Sequence, residues 1–249
     1  MLSFILTTFC FIINTVFYPS DSLSIPLVAT SSFAKPNLIF FTGGNSFMPQ
    51  QIYTSFLNRL EDYYDVSVIN NFNNKESIME QLLDSDIQSG SNYVALSHSS
   101  GATTLLNHCS KFNTHKCILL DPIDNNNLFQ KQTPSLDKLD NVLILNAEKT
   151  HKWEFTPFPK PPFIPFSPIN PDIFENSTSI TIKGVGHCDI LDEPYSSFMH
   201  ENFAKGLDNR KKISKYQNCL INLINQYVFN NFQEGAVQHV LESYEFEII

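Results

Sequence analysis

The chain has 249 residues, a hydrophobic share of 42%, 22 Phe residues and a formal net charge of −9. This length suits a single α/β domain built around a large sheet and is too short for two such domains. The apolar content provides a sizeable core and argues against disorder over most of the chain. The negative charge repels phosphate backbones, and the longest basic run is Arg210–Lys212, so we do not expect nucleic acid as a partner.

The N-terminal stretch from Met1 to Phe17 is almost uninterrupted apolar sequence. Such a stretch is typical of a signal peptide or a short membrane anchor, and a buried N-terminal strand is the alternative. We therefore expect a hydrophobic signal or targeting segment over residues 1–34, followed by one α/β domain over residues 35–249. The expected localisation is the secretory pathway or, given Ser32 and Phe33 near the expected cleavage point, a plastid. An uncleaved leader would anchor the protein to a membrane.

From residue 36 onward, short apolar runs alternate with amphipathic stretches, which is typical of a parallel sheet covered by helices. Strands are predicted at Asn37–Thr42, Val66–Asn70, Tyr93–Ser97, Lys116–Leu120, Asn141–Asn146 and Ser179–Lys183. Helices are predicted at Pro49–Asp62, Lys75–Ile87, Gly101–His108 and Ile213–Phe232. The expected fold class is therefore α/β, with a doubly wound, mostly parallel sheet and helices on both faces.

A segment rich in proline and phenylalanine, residues 153–171, interrupts this alternation between the fifth and sixth strands. Its prolines cannot donate to a helix or a ladder, so we expect an inserted loop. The loop is either a surface loop held to the core by its Phe residues or a wall of an apolar substrate pocket.

The run YVALSHSSGATTLL places Ser99 between a buried strand and a helix. In the GxSxG nucleophile elbow, the serine occupies a sharp turn, and small residues two positions before and after it let the strand and helix approach closely. Gly101 fits this pattern, and Ser97 stands where glycine is usual. We predict that Ser99 is a nucleophile, the alternative being an ordinary turn serine.

A serine nucleophile needs a histidine base and an acid that orients it. His187, in GVGHCDILDEP just past the last predicted strand, is the predicted base, the alternative being a surface turn histidine. His98, inside the elbow, is expected to point away. Asp121 and Glu148 both follow strands and are both candidates for the acid, because parallel strands open at one edge of the sheet. The shorter Asp121, followed by Pro122, is preferred.

Two acidic residues close to His187, Asp189 and Asp192, are too local to orient its ring and are expected to brace the loop. An oxyanion hole needs two backbone N–H groups. Ser100, directly after the nucleophile, is expected to supply one. The run FFTGGNS after the first strand is expected to supply the other through Gly44, although paired glycines can also mark a simple tight turn.

The elbow SHSSG, the segment LLDP and the run NPDIFENSTSITIKGVGHCDILDEP resemble chlorophyllase and its α/β-hydrolase relatives over roughly residues 36–195. The spacing from serine to acid is also similar to that of platelet-activating-factor acetylhydrolases. The resemblance implies a triad of Ser99, Asp121 and His187. The family has glycine where Ser97 stands and an HG pair where this chain has Thr42 and Gly43.

The expected function is that of a serine esterase that hydrolyses a carboxylic ester of a hydrophobic substrate, such as a lipid ester or the phytyl ester of chlorophyll. The alternatives are an acyltransferase with the same triad and a catalytically silent binding protein. The chemistry requires no metal and no organic cofactor. Peripheral membrane contact is expected through the N-terminal segment or the Phe-rich loop. Beyond the leader, disulfides are permitted by the even number of cysteines, which are Cys109, Cys117, Cys188 and Cys219.

Overall fold

Six parallel strands form the central sheet of the computed structural model. The structure describes residues 34–70, 78–84, 93–109, 114–124, 139, 141–151, 167–169, 171–202, 205–229 and 232–249. The strands of the main sheet are β1 (Asn37–Phe41), β2 (Asp65–Ile69), β3 (Tyr93–His98), β4 (Thr114–Leu120), β6 (Val142–Ala147) and β8 (Ser177–Ile182), in the order β2-β1-β3-β4-β6-β8. A separate pair consists of β5 (Ile123–Asp124) and β7 (Ser167–Pro168).

The helices follow the strands along the chain. They are α1 (Gly43–Ser46), α2 (Thr54–Leu60), α3 (Ile78–Asp84), α4 (Gly101–His108), α5 (Glu148–His151), α6 (Tyr195–Asn202), α7 (Ile213–Phe229) and α8 (Glu234–Ser243). A 3-10 turn at Gln50–Tyr53 leads into α2. The four-residue helices α1 and α5 come shortly after β1 and β6, so both lie at the carboxyl edge of the parallel sheet.

Alternate residues of each strand point to opposite faces of the sheet, and each face carries its own core. On one face, Leu96 of β3 packs in a cluster with Phe56 of α2 and Leu220 of α7. On the other face, Ala95 packs in a cluster with Leu105 of α4. The strands are rich in Val, Ile and Leu because β3, β4 and β6 are covered on both sides.

The two outer strands of the sheet are more exposed than its centre, and one of them has an added partner. Along β8, the C-terminal tail runs antiparallel, with Ile248 paired to Ile182 and the N–H of Lys183 donating to Glu247 O at 2.8 Å. The tail thereby satisfies backbone groups on the outer edge of the strand that leads into the His187 loop.

These elements confirm the α/β class with a parallel sheet and helices on both faces. Each of the six predicted strands is present, with ends that differ by one or two residues. Two helices that had not been delimited, α6 and α8, follow the sheet. The predicted segment 1–34 lies outside the described residues except for Ala34, and residues 35–249 form one unit.

The Pro- and Phe-rich loop 153–171 is described only at its end, at residues 167–169 and 171. There, β7 pairs with β5, and the N–H of Ile169 donates to Pro122 O at 3.2 Å. The described end of the loop is thus held against the turn that follows Asp121.

Candidate functional site

The site lies at the carboxyl edge of the parallel sheet, where open α/β sheets bind ligands. Ser99 follows β3, Asp121 follows β4 and His187 follows β8, while Gly43 and Gly44 follow β1. Residues far apart in sequence therefore meet because their strands end at the same edge.

Ser99 occupies a left-handed backbone conformation, with φ of 58°, between β3 and α4. A non-glycine residue rarely adopts this conformation, so the turn is strained. Three backbone bonds hold it: Ser99 N–H donates to Leu120 O at 3.0 Å, and Ser99 O accepts from Ala102 and Ile123 at 3.1 and 3.3 Å. A sharp turn of this kind between a strand and a helix is the geometry that the predicted nucleophile elbow requires.

The small residues around the elbow have different roles. A Cβ on Gly101 would lie only 2.3 Å from the carbonyl oxygen of Thr42, so the close approach of α4 to the end of β1 requires glycine there. Ser97 lies in β3 beside Phe41 and Leu119, fully buried, and its hydroxyl has no hydrogen-bond partner among the described residues. Its Cβ is accommodated within the sheet, so the departure from glycine leaves the elbow intact.

His187 bridges the serine and the acid. Its Nε2 lies 2.8 Å from Ser99 Oγ and its Nδ1 lies 2.5 Å from Asp121 Oδ2. An ionised carboxylate only accepts hydrogen bonds, so Nδ1 carries a proton, and in the neutral imidazole Nε2 then accepts from the serine hydroxyl. The structure therefore brings Ser99, His187 and Asp121 together in one hydrogen-bonded chain.

Asp121 is buried, 7% exposed, and its carboxylate has three donors. Besides His187, the N–H of Ala147 donates to Oδ1 at 2.9 Å and the hydroxyl of Thr150 donates to Oδ2 at 2.6 Å. Burial by itself raises the pKa of Asp121, but His187, Thr150 and the Ala147 N–H together lower it below its ordinary value. The carboxylate is thus kept ionised beside the imidazole.

Glu148, the other candidate acid, makes a different contact. Its Oε2 accepts a hydrogen bond from the N–H of Gly184 at 2.6 Å, in the turn after β8. Of the two carboxylates, it is that of Asp121 that is bonded to the imidazole. Glu148 instead holds the backbone of the loop on which His187 lies.

The two other carboxylates of this loop brace it, as expected. Asp189 is 1% exposed and accepts from the N–H groups of Gly186 and Leu207 at 2.8 and 2.7 Å, and from Arg210 at 2.6 Å. Asp192 accepts from the N–H of Ser55 at 2.8 Å and so ties the loop to α2. Neither contacts the imidazole of His187 through these bonds.

The glycines after β1 lie against the elbow. A Cβ on Gly43 would be 3.4 Å from the Cβ of Ser99, and the Gly43 N–H donates to Tyr53 Oη at 3.1 Å. Because the Gly43 donor is occupied, Gly44, with φ of 62°, is the candidate of the pair for an oxyanion donor. Ser100 occupies the N-cap position of α4, where backbone N–H groups and the helix dipole favour negative charge.

Tyr53, His98 and Thr150 were missed by sequence reasoning. His98 was expected to point away from the site, which is wrong. Its ring is stacked on that of His187, with centroids 4.8 Å apart. The alternation of side chains along β3 could have indicated the direction of His98, because it places His98 on the face opposite Ser97, on the side where the His187 loop packs.

Two other histidines make bonds outside this arrangement. His108 bonds to Thr104 O within α4, and His200 accepts from the Gly206 N–H. All four cysteines of the domain, Cys109, Cys117, Cys188 and Cys219, are buried and none is in a disulfide, so the permitted disulfides do not form among them. Within the described ranges, no three His, Cys, Asp or Glu side chains are grouped to hold a metal ion.

Comparison with known proteins assigns no family. No family model matches the chain, and a search of curated proteins finds no significant match. In the part of the chain that the structure describes, no helix is long and apolar enough to cross a membrane.

Proposed function

We propose that this protein is a serine hydrolase of the α/β-hydrolase class that cleaves a carboxylic ester through Ser99, His187 and Asp121. The observation that carries the proposal is the placement of His187 between the other two, with Nε2 2.8 Å from Ser99 Oγ and Nδ1 2.5 Å from Asp121 Oδ2. These distances are within reach for proton transfer by a general base. The strained turn at Ser99 is a second support, because such strain clusters at functional sites.

In the proposed reaction, Ser99 Oγ attacks the ester carbonyl carbon as its proton moves to His187 Nε2. The carbonyl double bond opens and its electron pair moves to oxygen, giving a tetrahedral oxyanion. The C–O bond to the alcohol then breaks, and His187 returns its proton to the leaving alkoxide. Water then attacks the carbonyl carbon of the acyl-Ser99 ester as its proton moves to His187 Nε2. The bond to Ser99 Oγ breaks, Ser99 takes the proton back from His187, and the carboxylic acid is released. Asp121 stabilises the imidazolium in both halves of the cycle.

The oxyanion is proposed to accept hydrogen bonds from the N–H groups of Gly44 and Ser100. The proximity of Gly43 to Ser99 supports this choice, since a Cβ on Gly43 would lie 3.4 Å from the Cβ of Ser99 and the loop after β1 is thus beside the proposed nucleophile. The start of α4 adds a favourable dipole on the Ser100 side. Charge that develops on the substrate would thus meet donors that are already in place.

The proposed substrate is a hydrophobic ester, as in the chlorophyllase-like enzymes that the sequence resembles. Two features support an apolar environment: Phe47, just after the glycine loop, is 53% exposed, and the end of the Phe-rich loop is held at Pro122, next to Asp121. Peripheral membrane contact through the N-terminal segment or this loop, and targeting to the secretory pathway or a plastid, stay predictions. The segments that carry them lie almost entirely outside the described residues.

Transfer of the acyl group to an alcohol instead of water is the second candidate, because the same triad supports it. The ratio of acid to new ester formed in the presence of a long-chain alcohol separates the two. A silent binding protein is the third candidate, and it predicts that neither product forms.

The proposal is tested with a fluorophosphonate probe, which phosphonylates activated serines. We expect the wild type to be labelled and Ser99→Ala to be unlabelled. Ser177→Ala, at an exposed serine of β8, is the matched control and is expected to label like the wild type. Failure of the wild type to label, or equal labelling of Ser99→Ala, would refute the catalytic role of Ser99.

A further inference from the structure

A buried chain of hydrogen bonds runs from the glycine loop to the loop of His187. The N–H of Gly43 donates to Tyr53 Oη at 3.1 Å, Tyr53 Oη lies 2.8 Å from His98 Nδ1, and His98 Nε2 lies 3.0 Å from the carbonyl oxygen of His187. We call these groups the Tyr53–His98 chain. Neither side chain belongs to the proposed triad, although the His98 ring is stacked on that of His187.

The direction of each bond follows from the chemistry of the groups. A carbonyl oxygen only accepts, so His98 Nε2 carries the ring proton and donates to His187 O. Burial, with the nearby His187, lowers the pKa of His98 to about 3, so the ring is neutral and Nδ1 is an acceptor. The Tyr53 hydroxyl therefore donates to His98 Nδ1 while its oxygen accepts from Gly43. Every polar atom of the chain has a partner.

Packing holds both side chains in one position. Tyr53 is 1% exposed and His98 is 3% exposed. The edge of the Tyr53 ring packs on Phe40 with centroids 5.2 Å apart, and the His98 ring is stacked on that of His187. Rotation of either side chain would leave a buried donor or acceptor without a partner, which is unfavourable.

The chain connects two parts of the site, the loop after β1 and the loop of His187. At one end, it fixes the peptide N–H of Gly43, and so the orientation of the loop that presents Gly44. At the other end, it fixes the carbonyl group of His187, while the stacked ring limits tilting of the imidazole away from Ser99. We propose that Tyr53 and His98 are positioning residues that hold the Gly43–Gly44 loop and the imidazole of His187 at a fixed distance and orientation relative to each other. This inference rests on the proposed hydrolase function.

The test is a comparison of Tyr53→Phe with Tyr64→Phe. Tyr64 is the matched control, since it is equally buried and its hydroxyl donates to Asn225 at 2.7 Å, away from the triad. We expect Tyr53→Phe to lower kcat for a p-nitrophenyl ester by about ten- to a hundredfold with KM nearly unchanged, because misplacement of preorganised groups weakens transition-state binding. The rate constant for fluorophosphonate labelling should fall in proportion. Tyr64→Phe should keep the wild-type kcat.

A second pair of variants keeps the test valid if Tyr53→Phe does not fold. His98→Gln retains a side-chain donor for His187 O, whereas His98→Leu retains none, so kcat per labelled site should fall further in His98→Leu. Activities are divided by the number of sites labelled at completion, which removes any loss due to unfolded protein.

Two results would overturn the inference. If Tyr53→Phe or His98→Leu merely lowers Tm while kcat per labelled site and the labelling rate stay at the wild-type values, the chain is only structural. If the wild type is not labelled, the proposed function fails and the inference falls with it. These outcomes are distinct because the first occurs in a protein whose wild type reacts.

Discussion

The imidazole rings of His98 and His187 are stacked, with centroids 4.8 Å apart and planes 30° from parallel. Two histidines in contact would repel each other if both were protonated. Burial and the proximity of His187 lower the pKa of His98 from 6.5 to about 3, so His98 is neutral at pH 7. It can therefore lie against the base without opposing formation of the imidazolium at His187.

The stability of the fold should depend on pH through His98. The unfolded chain protonates His98 below about pH 6.5, whereas the folded protein does not until about pH 3, so acid favours the unfolded state. This residue alone should reduce the free energy of unfolding by about 2 kcal/mol between pH 7 and pH 5. Urea titrations at both pH values should show that His98→Gln loses this part of the decrease, while His239→Gln, at an exposed histidine, keeps it. An equal decrease in His98→Gln and wild type would contradict the assignment.

Substitution of the two candidate acids, Asp121 and Glu148, should lower kcat to very different extents. Asp121→Asn removes the negative charge beside the imidazole and should lower kcat about a thousandfold or more, with little effect on KM. Glu148→Gln keeps a carbonyl oxygen that can accept from the Gly184 N–H, so its kcat should fall by less than about tenfold. Ester hydrolysis by the two purified variants decides the matter. A larger loss in Glu148→Gln would move the acid to Glu148.

Thr150 should act through Asp121. Thr150→Val keeps the shape of the side chain but removes the hydroxyl that donates to Asp121 Oδ2 at 2.6 Å, and kcat should fall about five- to tenfold. Thr150→Ser keeps the donor and should retain most of the activity. Steady-state kinetics of the pair measure this, and similar values for Val and Ser would exclude a contribution from the hydroxyl.

Gly101 should be intolerant of even a methyl group. In Gly101→Ala, the Cβ would lie 2.3 Å from Thr42 O and 2.7 Å from Phe41 O, so the backbone must shift at a cost of about 2–4 kcal/mol. Gly235→Ala is the control, because a Cβ at Gly235, near the start of α8, meets nothing within 4 Å. Gly235→Ala should raise the free energy of unfolding by up to about 1 kcal/mol. Chemical denaturation of both variants gives the comparison, and equal stabilities would refute the close contact at Gly101.

The strands and the long helices could be predicted because each is indicated by a pattern of apolar residues within its own stretch of sequence. The six strands are apolar runs bounded by polar residues, and α7 has a long amphipathic repeat whose predicted start at Ile213 is confirmed. The short helices α1 and α5 could not be predicted, because four residues carry no periodicity. Their existence depends on backbone bonds to neighbouring segments, as for Lys149 N–H, which donates to Val185 O at 3.0 Å.

The site was predictable where its residues follow strands, and not where partners come from distant segments. Ser99, Asp121 and His187 each lie just beyond a strand end, so strand order alone brings them near one another. The contact between Tyr53 and His98 joins residues 45 positions apart, on a 3-10 turn and a strand end, and nothing in either local sequence indicates the other. The choice of Asp121 over Glu148 likewise depended on side-chain direction, which the sequence leaves open.

The contact of Gly101 with the carbonyl group of Thr42 has a consequence for how this site can evolve. The helix that begins after Ser99 and the backbone that leads into the Gly44 loop rest directly on each other, so neither can move towards the other without displacing it. If the proposed esterase function holds, we expect a larger substrate to be accommodated elsewhere along the site. The described end of the Pro- and Phe-rich segment, where the Ile169 N–H donates to Pro122 O, lies next to Asp121, so replacement of that segment is the first change to test for a new substrate preference.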